Sequence, residues 1–301
     1  MVQVIDVEPG IYLHLGAHRT GTGSFQAHVG ANRGRLRDLG VNPVFSNRDG
    51  DSHGNLRLRM PAPRHFRAND LATHAGWIRD EFKENRVNIA RATLISEENI
   101  PGTINTLFSQ PIYHTLDQRL GFFCAHLKKP VRKVLFSIRC YDAFFGSAYR
   151  KRVQRRVIEP FSHYAPRLLE MKRRWPDVVA DIAKVTECTD VIVVRHESRT
   201  PPPELLHLLF PDLPEQGWIG DSRRLNASPT DAACRAIQEA LRAKGKRLSK
   251  DELAALIRQF ADDKGGPLIA EFSPPDADRL RAMYAEDLAG LRAMPGVTLV
   301  E

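Results

Sequence analysis

Short apolar runs alternate with stretches of helical period along most of this chain. Ile11, Tyr12, Leu13 and Leu15 form the first run and read as a buried strand. Small residues around Gly16, Gly21 and Gly23 follow, then a helical stripe of Phe25, Val29, Leu36 and Leu39. Residues 41–45 read as a second strand. Residues 46–67, rich in Gly, Asn, Pro and Arg without a period, read as a long surface loop. Leu71, Trp77, Ile78 and Phe82 predict an amphipathic helix over 70–85, and residues 91–95 a buried strand. Leu116, Leu120, Phe123 and Leu127 predict helix over 104–129. Val134, Leu135, Phe136 and Ile138 then make a central strand, with Asp142 as cap of the helix behind it. Two helices are expected over 159–186, with a break near Pro176. A strand over 190–195 and a leucine-rich helical cluster over 201–213 complete the pattern.

Strand and helix in alternation predict an α/β fold. A central, mostly parallel sheet of about five strands is expected, flanked by helices. The part from 227 to 301 reads as helical, with three start signals. Ser228, Ser249 and Ser273 each stand three residues before an acid, Asp231, Glu252 and Asp276. No internal repeat or low-complexity linker divides the 301 residues, so a single domain over 1–301 is expected.

Composition narrows the class. A hydrophobic fraction of 42% and a charged fraction of 27% are ordinary for a soluble protein. No apolar run approaches the roughly 18 residues of a transmembrane helix, and the N-terminus lacks the pattern of a secretory signal. Cys124, Cys140, Cys188 and Cys234 are scattered without CxxC pairs. They read as reduced thiols, and a cytoplasmic location is expected. A formal net charge of +8 points to an anionic partner. The basic runs Arg150-Lys151-Arg152, Arg155-Arg156 and Lys172-Arg173-Arg174 lack interleaved aromatics and any nucleic-acid motif. They read as solvated helix faces, and no nucleic-acid partner is expected.

Candidate chemistry gathers where strands end. A strand, a glycine-rich turn and a helix in that order make an anion cradle, because backbone N–H groups and the helix N-terminus converge there. Gly16 and Gly21 have the GxxxxG spacing of a P-loop, but Thr22 and Gly23 replace the lysine and hydroxyl residue of that motif. The basic residue lies inside the loop instead, as Arg19. In doubly wound sheets ligands collect at the carboxyl ends of strands. Ser96-Glu97-Glu98-Asn99 closes one strand, and Arg139 closes the central one, with Ser147 eight residues on in the next helix. An arginine fork and a helical serine at that separation can converge on one phosphate.

The segment Gly16-Ala17-His18-Arg19-Thr20-Gly21-Thr22-Gly23-Ser24 resembles the 5′-phosphosulfate loop of sulfotransferases that use 3′-phosphoadenosine 5′-phosphosulfate (PAPS). Bacterial members with a G-A-H-K-T-G-T-T-S-like loop are the most similar. Arg19 stands where the family has lysine, and Gly23 where it usually has threonine. Ser96–Asn99 is similar to an S-[SA]-E-N element of such sequences, with Glu98 as the matching carboxylate. Arg139 and Ser147 match the family's 3′-phosphate arginine and serine in identity and spacing. The strand ending at His196-Glu197 and the helix after it continue the likeness to about residue 213, and 223–228 resembles its N-x-S element.

The resemblance implies a P-loop-like sulfotransferase fold. It also implies PAPS as cosubstrate, adenosine 3′,5′-bisphosphate as product, and no metal. His18, Arg19, Thr20, Gly21, Thr22, Gly23 and Ser24 would hold the 5′ side, and Arg139 and Ser147 the 3′-phosphate. Arg19 would supply the catalytic cation; Glu98, His53 and His18 are the candidate bases. A hydroxyl or amine on a carbohydrate, lipid or small metabolite would accept the sulfuryl group. Acceptor choice would fall to the 46–67 loop and the helical C-terminal part, neither of which carries a motif. Two alternatives stand beside this: a catalytically silent PAPS-binding relative, suggested by Arg19 and Gly23, and a P-loop nucleotide kinase, opposed by the missing GK[ST].

Overall fold

A computed structural model describes residues 7–46, 53–220, 229–263 and 265–301. The elements run β1 (Gly10–His14), α1 (Thr22–Ala31), α2 (Arg33–Asp38), β2 (Val41–Phe45), α3 (Pro63–Arg67), α4 (Ala72–Glu84) and β3 (Ala92–Ser96). Next come α5 (Leu116–Cys124), β4 (Val131–Ile138), α6 (Tyr141–Val153), α7 (Phe161–Leu169), α8 (Trp175–Thr186) and β5 (Val191–Arg195). A 3-10 turn (His196–Ser198) precedes α9 (Pro202–Leu209), α10 (Asp231–Lys244), α11 (Lys250–Gln259), α12 (Pro274–Arg292) and β6 (Val297–Val300).

The six strands form one sheet in the order β2-β3-β1-β4-β5-β6, and every pairing is parallel. The fold is therefore α/β, a parallel sheet flanked by helices. Alternate residues of each strand enter opposite cores, as period-2 geometry requires. Ile11, Leu13, Val134, Phe136, Val191 and Val193 pack on one face, against α4, α5, α6, α8 and α12. Tyr12, Leu135, Ile192 and Val194 face the other way, onto α1, α2 and α9.

Several expectations are corrected. The sheet has six strands, because Val297–Val300 pairs with β5, so the C-terminal part is not wholly helical. Helix within 104–129 is confined to Leu116–Cys124; Pro111 lacks a backbone donor and Tyr113 takes φ +47°, which holds the preceding residues in turns. Asp142 stands in the first turn of α6, where its Oδ1 accepts from Ala143 N at 2.7 Å, rather than at the N-cap. Cys140 holds the N-cap position, and the Asp142 carboxylate pairs with Arg281 at 2.9 Å. Ser249 and Ser273 cap α11 and α12 as expected. For α10 the cap is Thr230, whose hydroxyl accepts from Ala233 N; the expected Ser228 lies outside the described residues, as do 223–228 and the 47–52 part of the long loop. That loop's far end forms α3. No helix among the described residues is long and apolar enough to cross a membrane.

Candidate functional site

Chain connections leave β1 and β4 toward opposite edges of the sheet, which opens a crevice at their carboxyl ends. The 15–24 loop lies in it. Leu15 N and Ala17 N donate to Leu135 O and Ser137 O at 3.0 and 2.8 Å, so the loop first continues the pairing with β4. Gly16 then turns at φ +48°. A Cβ there would sit 2.7 Å from Thr22 Oγ1, so glycine is what lets the loop fold back onto the start of α1. Gly21, left-handed at φ 94°, is the N-cap of α1 and offers no side-chain cap, and no acid stands in the first turn. The start of α1 thus carries neither a side-chain cap nor a neutralising acid.

His18 anchors the first half of this loop. Its backbone N–H donates to the Tyr113 hydroxyl oxygen at 2.9 Å, and Nδ1 meets the same hydroxyl at 2.9 Å. Nε2 meets Asn99 Oδ1 at 3.1 Å. Asn99 Nδ2 donates to Glu97 Oε1 at 3.0 Å, which turns Oδ1 toward His18. Nε2 therefore carries the proton, and Nδ1 accepts from Tyr113. Burial pushes the Tyr113 phenol far up, with the Glu98 charge adding to it, so the hydroxyl remains a donor. Thr20 Oγ1 donates to Ala17 O at 2.5 Å and closes this half.

The two sequence half-sites meet at Arg19. Its Nε donates to Ser147 Oγ at 3.1 Å, and Arg139 Nη1 donates to the Arg19 carbonyl at 3.0 Å. Arg19 itself adopts φ +68°, a left-handed conformation that costs a side-chain-bearing residue about 1 kcal/mol. Arg139 Nε and Thr22 Oγ1 are buried without a hydrogen-bond partner. Burial, opposed by Glu197 and reinforced by the Arg19 charge, lowers the Arg139 pKa.

One residue near this cluster was missed as a site residue. His196 follows β5, and burial, the Arg139 charge and a hydrogen bond to the Thr20 backbone set its pKa, with a net lowering. The same strand-end rule that drew attention to Arg139 applies to it. Glu97 and Glu98 divide their roles. Glu97, only 2% exposed, accepts from Asn99 N at 2.8 Å and from the Asn99 amide, so it shapes the turn. Glu98 is half-buried and near enough to act on Tyr113. His53 lies beyond the end of β2, exposed, with its carbonyl held by Arg33 Nη2 at 2.8 Å, and is not part of the cluster around Arg19. Gly23 and Ser24 lie in the first turn of α1, Ser24 N donating to Gly21 O at 3.0 Å.

A cleft of about 540 Å³ opens beside Arg139 and Ser147. Gly146 and Arg150 of α6 form one wall, and Ala270 and Phe272, ahead of α12, the other. Arg150 is held by Asp231 through Nε at 3.0 Å and Nη2 at 3.3 Å. The volume is within the range of small-molecule sites. Among the described residues no group of three or more His, Cys, Asp or Glu side chains could hold a metal.

No family model matches the chain, and no curated protein matches it. Solved structures with partial likeness include FtsY from Mycoplasma mycoides, 13% identical over 71% of this chain and 60% of that one, with a TM-score of 0.28. Another is the signal recognition particle 54 kDa protein from Aeropyrum pernix K1 in complex with GDP, 14% identical over 96% of this chain and 53% of that one, with a TM-score of 0.29. The chain spans little more than half the length of either. Likeness at this level carries no argument about function.

Proposed function

We propose that the protein is a PAPS-dependent sulfotransferase that moves a sulfuryl group to a hydroxyl or amine acceptor. The observation that carries this reading is the meeting of Arg139 and Ser147 with the loop at Arg19, from separate strand-end and helix positions. The uncapped start of α1 and the unpartnered Thr22 hydroxyl support a 5′-phosphate there. Arg139, with an unpartnered Nε, and Ser147 support a 3′-phosphate beside the cleft.

In the reaction the acceptor oxygen or nitrogen attacks sulfur, and the bond from sulfur to the bridging phosphate oxygen breaks. The electron pair leaves with adenosine 3′,5′-bisphosphate, while a base takes the acceptor proton. Arg19 would neutralise charge on the leaving oxygen. Glu98 is the preferred base, since Glu97 is committed to Asn99. The cosubstrate site is tested by calorimetric titration with adenosine 3′,5′-bisphosphate, ADP, and ATP with magnesium. Metal-independent binding that needs the 3′-phosphate is expected; preference for ATP with magnesium would refute the reading.

Engagement of Arg19 Nε by Ser147 favours a second reading, a PAPS-binding relative without turnover. Arginine holds charge but does not give up its proton at neutral pH. An Arg19→Lys variant assayed for sulfate transfer against an acceptor panel separates the two: activity that rises with lysine supports an enzyme, and none in either form supports binding alone.

A further inference from the structure

The corner that carries Arg139 is held largely from outside the sheet. Tyr284 on α12 donates its hydroxyl to Glu197 Oε2 at 3.0 Å, and Cys140 N donates to Glu197 Oε1 at 2.9 Å. Three residues further along α12, Asp287 accepts from the Tyr141 hydroxyl at 2.5 Å and pairs with Arg174 at 2.7 Å. Trp175 N donates to the Tyr141 oxygen at 2.8 Å, and Trp175 Nε1 donates to the Arg139 carbonyl at 3.0 Å. The Tyr141 hydroxyl is therefore tied to α12 directly, the Cys140 N–H through Glu197, and the Arg139 carbonyl through Trp175 and Tyr141. Tyr284 is 5% exposed and Asp287 4% exposed, whereas Glu197 and its bond to Cys140 N face water.

A strand end fixed only by its own sheet would be free to swing its side chain by rotation of the next two residues. Here that rotation is blocked on three atoms. Glu197, which bridges Tyr284 to Cys140, also places its charge where it favours the charged form of Arg139. One carboxylate thus bears on both the backbone next to that arginine and its charge. We propose that Tyr284 and Asp287 are positioning residues for the 3′-phosphate: α12 sets how well the site prefers a ligand bearing that group over one without it. The inference rests on the sulfotransferase reading, because that reading supplies the 3′-phosphate. It adds to the anion-binding machinery a helix whose sequence shows only a packing stripe.

The test titrates the whole protein with adenosine 3′,5′-bisphosphate and with adenosine 5′-monophosphate, for the native chain and for Tyr284→Phe. Loss of one hydroxyl from a coupled network should weaken bisphosphate binding about five-fold. Monophosphate affinity should stay unchanged, so the preference between the two ligands falls by the same factor. Simple loosening of the fold would weaken both ligands together, and that result overturns the inference, as does no change for either. Glu197→Ala, which removes both the acceptor for Cys140 N and the acceptor for Tyr284, is the second variant should Tyr284→Phe fail to fold; the same selective loss is expected. A native chain with no preference for the bisphosphate overturns the sulfotransferase reading and this inference together. A native preference that both variants keep overturns only the inference.

Discussion

The two halves of the 15–24 loop are built on opposite terms. From Leu15 to His18 nearly every polar group has a partner: β4 takes the backbone, and Tyr113 and Asn99 take His18. Just below, His14 Nδ1 meets Ser96 Oγ at 2.8 Å, and Gln26 Nε2 donates to Ser96 O at 2.9 Å. From Arg19 to Ser24 backbone strain and an unpartnered hydroxyl enter. Arg19 holds a left-handed backbone beside a second guanidinium, and the Thr22 hydroxyl and Arg139 Nε are buried without partners. A buried polar group without a partner costs about 1–3 kcal/mol. The first half is a frame, and the second half carries the left-handed Arg19 backbone and the unpartnered Thr22 hydroxyl.

The sharpest way to break that contrast is Arg139→Ala. Loss of a charge-assisted contact to phosphate should weaken binding of adenosine 3′,5′-bisphosphate by about 3 kcal/mol, roughly a hundred-fold, in a calorimetric titration. The thermal midpoint should move little.

A second way to break the contrast, read per pH unit, is the response of the frame to acid. Burial lowers the His14 pKa from 6.5 to about 3. Above the unfolded value both states are neutral and stability is complete. Between 6.5 and about 3 the unfolded chain takes up a proton that the folded chain refuses. Stability should thus fall by about 1.4 kcal/mol per pH unit through that window, and a urea series against pH should lose this slope in His14→Asn. A slope that persists unchanged in the variant would assign the acid sensitivity elsewhere.

Tyr113→Phe should cost about 2 kcal/mol of stability, because it leaves His18 N–H and Nδ1 without their partner. Its measure is the urea midpoint. The smallest and most telling change is Thr22→Val. Removing an unpartnered buried hydroxyl should raise stability by up to about 1 kcal/mol while weakening phosphate binding by a similar amount. Opposite signs in the two measurements would mark Thr22 as reserved for ligand; a loss in both would place it in the frame.

The contrast was only half legible in the sequence. Residue types at strand ends pointed to Arg19, Arg139 and Ser147, and the short apolar runs located β1 to β5 within a few residues. The donors that fix the frame were not legible. Tyr113 lies in a stretch whose leucine and phenylalanine spacing imitates a helix, and only its left-handed backbone and Pro111 break that pattern. β6 is four residues long, and its signal, β-branched residues after Gly296, is too brief to outweigh the helical pattern before it. Only the resemblance to the S-[SA]-E-N element separates Glu98 from Glu97 in the sequence; that Glu97 turns onto Asn99 is seen only in the fold. Tyr284 and Asp287 occupy a stripe that reads as packing, since their partners are distant in sequence, 146 residues separating Tyr141 from Asp287.

That separation also bears on when the molecule becomes competent. β1 acquires its neighbours from residues 92–96 and 131–138, and the Arg139 corner acquires its ties from α12. Such long loops must close before the cradle exists, and distant pairings in parallel sheets form slowly. Local helices such as α10 and α12 carry their own start signals and need no such wait. In refolding, helical signal should therefore return ahead of nucleotide affinity, a lag that stopped-flow circular dichroism run beside a ligand-binding probe would measure. The chain would pass through a stage that is largely helical yet blind to its ligand.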